Sequence, residues 1–195
     1  MPSAITILAI DPGTRDLGYA IVRAQGRPDR AARIRVLAYD HIRAAPKRGR
    51  PPRPPRKSPF AYVDRIDQIL PLIPLSPRPD LVIIEMPQSF ASARGRAALR
   101  SGSVQKLTFC VASIRQALRP IPCTLVHPSK WKGNVPKHIT LARLQRRFPA
   151  LSRSLANANH NAVDALGIAV YAADRLAPSR PSTAPPPPPP PSYRP

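Results

Sequence analysis

The 195-residue chain is short of acid: ten acidic residues, only one of them a glutamate, stand against 31 lysines and arginines. The formal net charge of +21 makes a polyanion the leading partner. Only six of the basic residues are lysines, and the heavy use of Arg, Ala and Pro also fits GC-rich coding, so charge alone does not decide the matter. Cysteine is nearly absent as well. Cys110 and Cys123 have neither metal-site nor redox-motif spacing, which argues against a zinc module or a disulfide scaffold and fits buried thiols in a reducing cytoplasm. No apolar run approaches the roughly 18 residues of a membrane span. The apolar opening at residues 4–10 has no basic flank and stops at Asp11, so a signal peptide is not expected.

Proline is the residue present in excess, and it falls in two places. One cluster, PKRGRPPRPPRKSP, covers residues 46–59, and the other begins at residue 178 and includes an unbroken run over 185–191. Neither can sustain helix or ladder hydrogen bonds. The expected organisation is one domain over residues 1–177, with a basic Pro-rich loop at 44–59 and a disordered tail at 178–195. Within the domain, AITILAI at 4–10 reads as a central strand, apolar on both faces. Residues 17–24 and 34–41 read as two more strands joined by a turn around Gly26 and Pro28. A helix is expected over 60–70, a short strand at LVIIE (81–85), a long helix over 103–118 and a brief strand at 124–126. Further helices are expected over 136–148 and 160–176. The fold class is therefore α/β: a mixed five-stranded sheet, three antiparallel strands followed by parallel ones, flanked by helices.

With acids so scarce, those in awkward places are informative. Asp11 and Glu85 each end an apolar strand, where α/β sheets place their ligands and where a carboxylate is costly unless compensated. In NHNAVDALGIAV a helix puts His160 and Asn161 on the same face as Asp164. Each has a plain alternative: a strand-end acid facing water, a helix-start histidine, an N-terminal cap. Three carboxylates from two strands and a helix, in a basic protein, nevertheless suggest Mg²⁺, which favours oxygen ligands. Two such ions about 4 Å apart can activate water for in-line attack on a phosphodiester. The string DPGTRDLGYAIV also admits a hairpin that cradles a nucleotide phosphate, although Gly13 and Gly18 serve equally well as turn and twist residues.

The strings ITILAIDPGTRDLGYAIV, LVIIEMPQSF, HPSKWKGNVPK and NHNAVDALGIAVY, in that order, resemble the RuvC-like Holliday-junction resolvases, particularly the phage and prophage type, within the ribonuclease H-like superfamily. The resemblance spans about residues 5–173. It implies a ribonuclease H-like fold and a structure-selective endodeoxyribonuclease that cuts four-way DNA junctions by Mg²⁺-dependent hydrolysis. Two ions per site are implied, with Mn²⁺ able to substitute. Asp11, Glu85 and Asp164 match the family's metal-binding acids, and Lys137 matches the lysine that approaches the scissile phosphate. Many members carry Asp or His three residues before the last aspartate; here Asn161 holds that position with His160 beside it, and either could complete the metal site.

DNA contacts are expected from Arg94, Arg96 and Arg100, from Arg143, Arg146 and Arg147 on the 136–148 helix, and from Lys130 and Lys132. Between those lysines, Trp131 would either stack on an unpaired base or anchor the loop to the core. Arg48 and Arg50 sit in a string similar to an AT-hook core, a minor-groove binder, with a general phosphate-binding loop as the alternative. The implied partner is branched DNA engaged by a homodimer, with no membrane and no small-molecule substrate, in a bacterial or infected-host cytoplasm. An actin-like ATPase would need two such domains and a second phosphate loop. A DNA-binding protein that has lost the chemistry, or a broader branched-DNA nuclease, remain the competing readings.

Overall fold

The computed structural model describes residues 4–27, 30–43, 61–88, 93–133 and 135–176. The Pro-rich loop with Arg48 and Arg50, and the tail, lie outside the described residues. Five strands form one sheet: β1 (Ile5–Pro12), β2 (Asp16–Arg27), β3 (Arg30–Arg43), β4 (Leu81–Glu85) and β5 (Cys123–Val126). Their order is β3-β2-β1-β4-β5. The first three strands pair antiparallel, and β4 and β5 join parallel to β1. This is the expected mixed sheet. β2 and β3 run longer than their apolar cores suggested, because the hairpin continues as a polar ladder to Arg27 and Arg30.

Alternation along β1 divides the core. Ile7 and Ala9 face one layer, which holds α7 (His160–Leu176), α5 (Lys137–Arg147) and α6 (Ser152–Asn157). Leu8 and Ile10 face the other, which holds α1 (Ala61–Ile69) and α3 (Ser103–Ala117). All four side chains are fully buried, as period-2 alternation between two covered faces requires. On the α7 side the facing residues are small: Ala9 and Ala20 on the sheet, Ala165, Ala169, Ala172 and Ala173 on the helix. Small residues let α7 lie close to the strands, and that closeness brings its one buried acid to the sheet.

Three short helices are not signalled by the sequence pattern. α2 (Ala93–Arg100), ARGRAALR, has no continuous apolar stripe, α4 (Pro128–Trp131) is one turn long, and α6 has only six residues. Among the described residues, no helix is long and apolar enough to cross a membrane.

Candidate active site

β1 and β4 run parallel with Ile10 opposite Ile84, so Asp11 and Glu85 emerge side by side at the carboxyl ends of neighbouring strands. Both fall on the α7 face, in phase with Ala9 and Ile83. Asp164, 5% exposed, lies in the second turn of α7 and comes over these strand ends. The three expected carboxylates thus meet at one place in the fold.

Two neighbours in α4 and just after it tie this group together. The Trp131 indole Nε1 donates to Glu85 Oε2 at 2.6 Å. The Lys132 Nζ donates to Asp164 Oδ2 at 2.9 Å, and lies 4.0 Å from Glu85 Oε2. The same ammonium stands 4.7 Å from the centre of the Trp131 ring, within cation–π range. Burial holds the Asp11 carboxyl well above the usual carboxylate range, and the charges of Glu85 and Asp164 push it the same way against Lys132 and Lys137. Burial also raises Glu85, helped by Asp164 and opposed by Lys132, by the Trp131 hydrogen bond and by Lys137. For Lys132, burial works against the ammonium, but Glu85, the hydrogen bond to Asp164 and the charges of Asp164 and Asp11 outweigh it and raise its pKa. The site is therefore an acidic cluster holding an internal cation.

Close backbone approach sets the position of α7. Gly18 pairs with Asp11 across β1 and β2, and a β-carbon there would overlap the Asn161 carbonyl at the start of the helix. Asn161 is buried; its Nδ2 donates to Asp16 Oδ1 at 3.1 Å, and its backbone N–H donates to Asn159 Oδ1 at 2.9 Å. Gly167, one turn beyond Asp164, leaves room for the six-membered ring of Trp131, where a β-carbon would come within 2.5 Å of Cζ3.

No family model matches the chain, and no curated relative matches it in sequence. Its similarity to solved structures is extensive. RuvC of Thermus thermophilus superposes with a TM-score of 0.55 at 20% identity, covering 88% of this chain and 95% of that one. The same RuvC in complex with a Holliday-junction substrate gives 0.51 at 18% identity over the same shares. The fold is that of RuvC. A Fowlpox virus resolvase, solved with Holliday-junction DNA, is more distant, at 0.45 and 14% identity over 88% of this chain and 99% of that one. The expected mixed five-stranded sheet flanked by helices is thus the fold this chain shares with RuvC.

On this RuvC fold the remaining expected residues separate into groups. Lys137 opens α5 and acts electrostatically on Asp11 and Glu85, so it borders the cluster. His160 is exposed at the first position of α7, whereas the Asn161 amide nitrogen is directed to Asp16. Arg143 and Arg146 are exposed on α5, and Lys130, Arg96 and Arg100 are exposed elsewhere; Arg94 lies in α2. Arg147 turns inward, donating to Asp174 Oδ1 at 2.9 Å and to the Ala32 carbonyl at 3.0 Å. Of the two roles open to Trp131, anchoring is the one its contacts with Glu85 and Gly167 describe. Asp16 and the close-approach role of Gly18 were missed. The DPGTRD string contained both, but only the tertiary contact with Asn161 distinguishes a packing glycine from a turn glycine.

The donor set suits a hard divalent cation, since all three acids offer carboxylate oxygen. Among the described residues, no three acidic, histidine or cysteine side chains close into a ready-made ion cage. The Lys132 ammonium instead takes the position between Asp164 and Glu85, a stand-in cation that shows where positive charge is favoured.

Proposed function

We propose that this protein is a divalent-metal-dependent endonuclease acting on branched DNA, with four-way junctions as its principal substrate. The observation that carries the reading is the gathering of Asp11, Glu85 and Asp164, from two adjacent parallel strand ends and one helix, around a single lysine ammonium. In a chain of charge +21 such a concentration of acid would repel DNA unless cations neutralised it. Asp11, Glu85 and Asp164 would hold Mg²⁺ or Mn²⁺, which when bound supplies water activation and stabilisation of the leaving oxygen in phosphodiester hydrolysis. His160 or Asn161 would extend the ligand set. Lys137 would meet the charge that develops on the phosphate. Trp131 fixes the Glu85 carboxylate, and Lys132 holds Asp164 in place. Arg94, Arg96, Arg100, Lys130, Arg143 and Arg146 would contact phosphates without reading sequence.

The likeness to RuvC supports this reading through the fold, and RuvC itself has been solved in complex with a Holliday-junction substrate. A two-fold substrate cut once by each subunit calls for a homodimer. This activity would be exercised in a bacterial or infected-host cytoplasm. A second reading, a DNA-binding protein without chemistry, is favoured by one observation: Lys132 already compensates Asp164 at 2.9 Å with no metal needed.

The deciding experiment incubates the full chain with a synthetic four-way junction in Mg²⁺ and in EDTA, beside Asp11→Asn. Symmetric nicks that disappear in EDTA and in the variant support the nuclease. Binding with no cleavage under any divalent ion supports the second reading. Equal cutting of linear duplex, flaps and junctions would replace junction selectivity with a broader branched-DNA activity.

A further inference from the structure

A groove of about 420 Å³ runs between α5 and α7, beside the acidic cluster. That volume lies within the range of about 300–1,000 Å³ typical of small-molecule sites. Its walls are apolar and partly aromatic: Trp131, Leu144, Val170 and Tyr171. The mouth carries two exposed guanidinium groups, Arg143 on α5 and Arg175 on α7, the latter 4.7 Å above the Tyr171 ring. The one carboxylate at the groove, Asp174, is already paired with Arg147 at 2.9 Å, so the mouth remains cationic. At its inner end the groove reaches Trp131 and Lys132, the residues that touch Glu85 and Asp164.

We propose that the groove between α5 and α7 is a binding slot for one unstacked nucleobase of a DNA strand lying across the acidic cluster, with Arg143 and Arg175 on the adjoining phosphates. This rests on the nuclease reading for the identity of the strand. An apolar slot with a cationic mouth matches the two halves of a nucleotide, because aromatic and aliphatic walls accept the base while guanidinium groups accept the phosphate. The slot continues directly from the cluster, so a strand whose phosphate meets the acids can place a neighbouring base in it without leaving the surface. Base binding here requires a nucleotide free of its stack, which a branch point provides and a continuous duplex does not. The groove would therefore favour branched over linear DNA.

Trp131 is the sole tryptophan of the chain, so its fluorescence reports on the slot directly. The test titrates the full chain, with Ca²⁺ in place of Mg²⁺ so that the acids are neutralised, with a short single-stranded oligothymidylate and with an abasic strand of equal length. The oligothymidylate is expected to change the Trp131 emission saturably, with the abasic strand weaker by about tenfold. Val170→Phe, which fills the slot, should weaken oligothymidylate binding by about the same factor while leaving the abasic strand unaffected. If that variant does not fold, Arg175→Ala at the exposed mouth takes its place and should weaken both strands. Equal binding of the two strands, or an unchanged titration in a folded Val170→Phe, overturns the slot. Junction cleavage in Mg²⁺ is measured on the same proteins. A failed titration beside metal-dependent nicking overturns the slot alone, whereas a base-dependent titration without nicking under any divalent ion keeps the slot and overturns the nuclease.

Discussion

α7 carries two acids, ten residues apart, and each is paired with a basic side chain at the same 2.9 Å. At Asp164 the partner is Lys132, the side chains are 8% and 21% exposed, and two more carboxylates crowd the same ammonium. At Asp174 the partner is Arg147, the side chains are 34% and 31% exposed, and the carboxylate also accepts the Ala32 N–H at 3.0 Å. The second pair is balanced: one acid, one base and a backbone donor join α7, α5 and β3. The first is unbalanced, with three acids sharing one directly bonded cation. A matched pair at partial exposure ties elements together, whereas an unmatched cluster stores an attraction for further positive charge. Geometry alone would not separate them. The surrounding charge does.

The largest expected effect comes from removing an acid of the unbalanced group. Asp11→Asn should reduce metal-dependent nicking of a four-way junction on the order of 10³-fold or more, comparable with losing a central electrostatic group of an active site. The same change should raise the thermal midpoint of the metal-free protein, because it deletes a partly buried like charge. The sign follows from the raised pKa of Asp11, whose largest cause is burial. A carboxyl raised in the folded state binds its proton more tightly there, so it costs stability as pH rises above the unfolded value of about 4. In EDTA, the midpoint of Asp11→Asn minus that of the native chain should therefore grow as pH climbs from about 4 toward neutrality. A flat difference would mean that the cluster is balanced after all, as at Asp174.

Next in size is Gly18→Ala. The added carbon meets backbone, the carbonyl of Asn161, which cannot swing aside as a flexible side chain can. A cost of about 1–3 kcal/mol in denaturant unfolding is expected, with loss of nicking as α7 carries Asp164 away from the strand ends. Gly167→Ala should act similarly but less severely on stability. It displaces the Trp131 ring, and with it the hydrogen bond to Glu85.

The acids were legible in the sequence and their supports were not. Asp11 and Glu85 stood out because a costly charge ended an apolar run, and Asp164 because a helix gathers it with His160 and Asn161 on one face. Those are local patterns. Trp131 ends a one-turn helix with no periodicity and Lys132 follows it, so nothing local distinguishes a lysine that enters the cluster from Lys130, which stays exposed two residues away. Arg147 and Arg146 are likewise adjacent in sequence, yet only Arg147 reaches Asp174 and Ala32. Strand order was readable from the alternation of elements. The depth at which α7 lies on the sheet depended on Gly18, whose partner is 143 residues further along the chain.

The smallest effect tests the balanced side of the comparison. Asp174→Asn keeps the shape of the side chain and removes one charge from a pair that is about one-third exposed. Solvent screens such a pair, and the amide oxygen can still accept the Ala32 N–H, so a loss of about 0.5–1 kcal/mol in denaturant unfolding is expected. High salt should shrink the difference between the variant and the native chain, since screening weakens the attraction that the mutation removes. Nicking should remain metal-dependent, because Asp174 lies nearly three helical turns from Asp164 and shares no hydrogen bond with the cluster. A loss of cleavage as deep as that of Asp11→Asn would mean that the Arg147 clamp sets the position of α7 over the strand ends. The two ion pairs would then act as one unit through the helix that joins them.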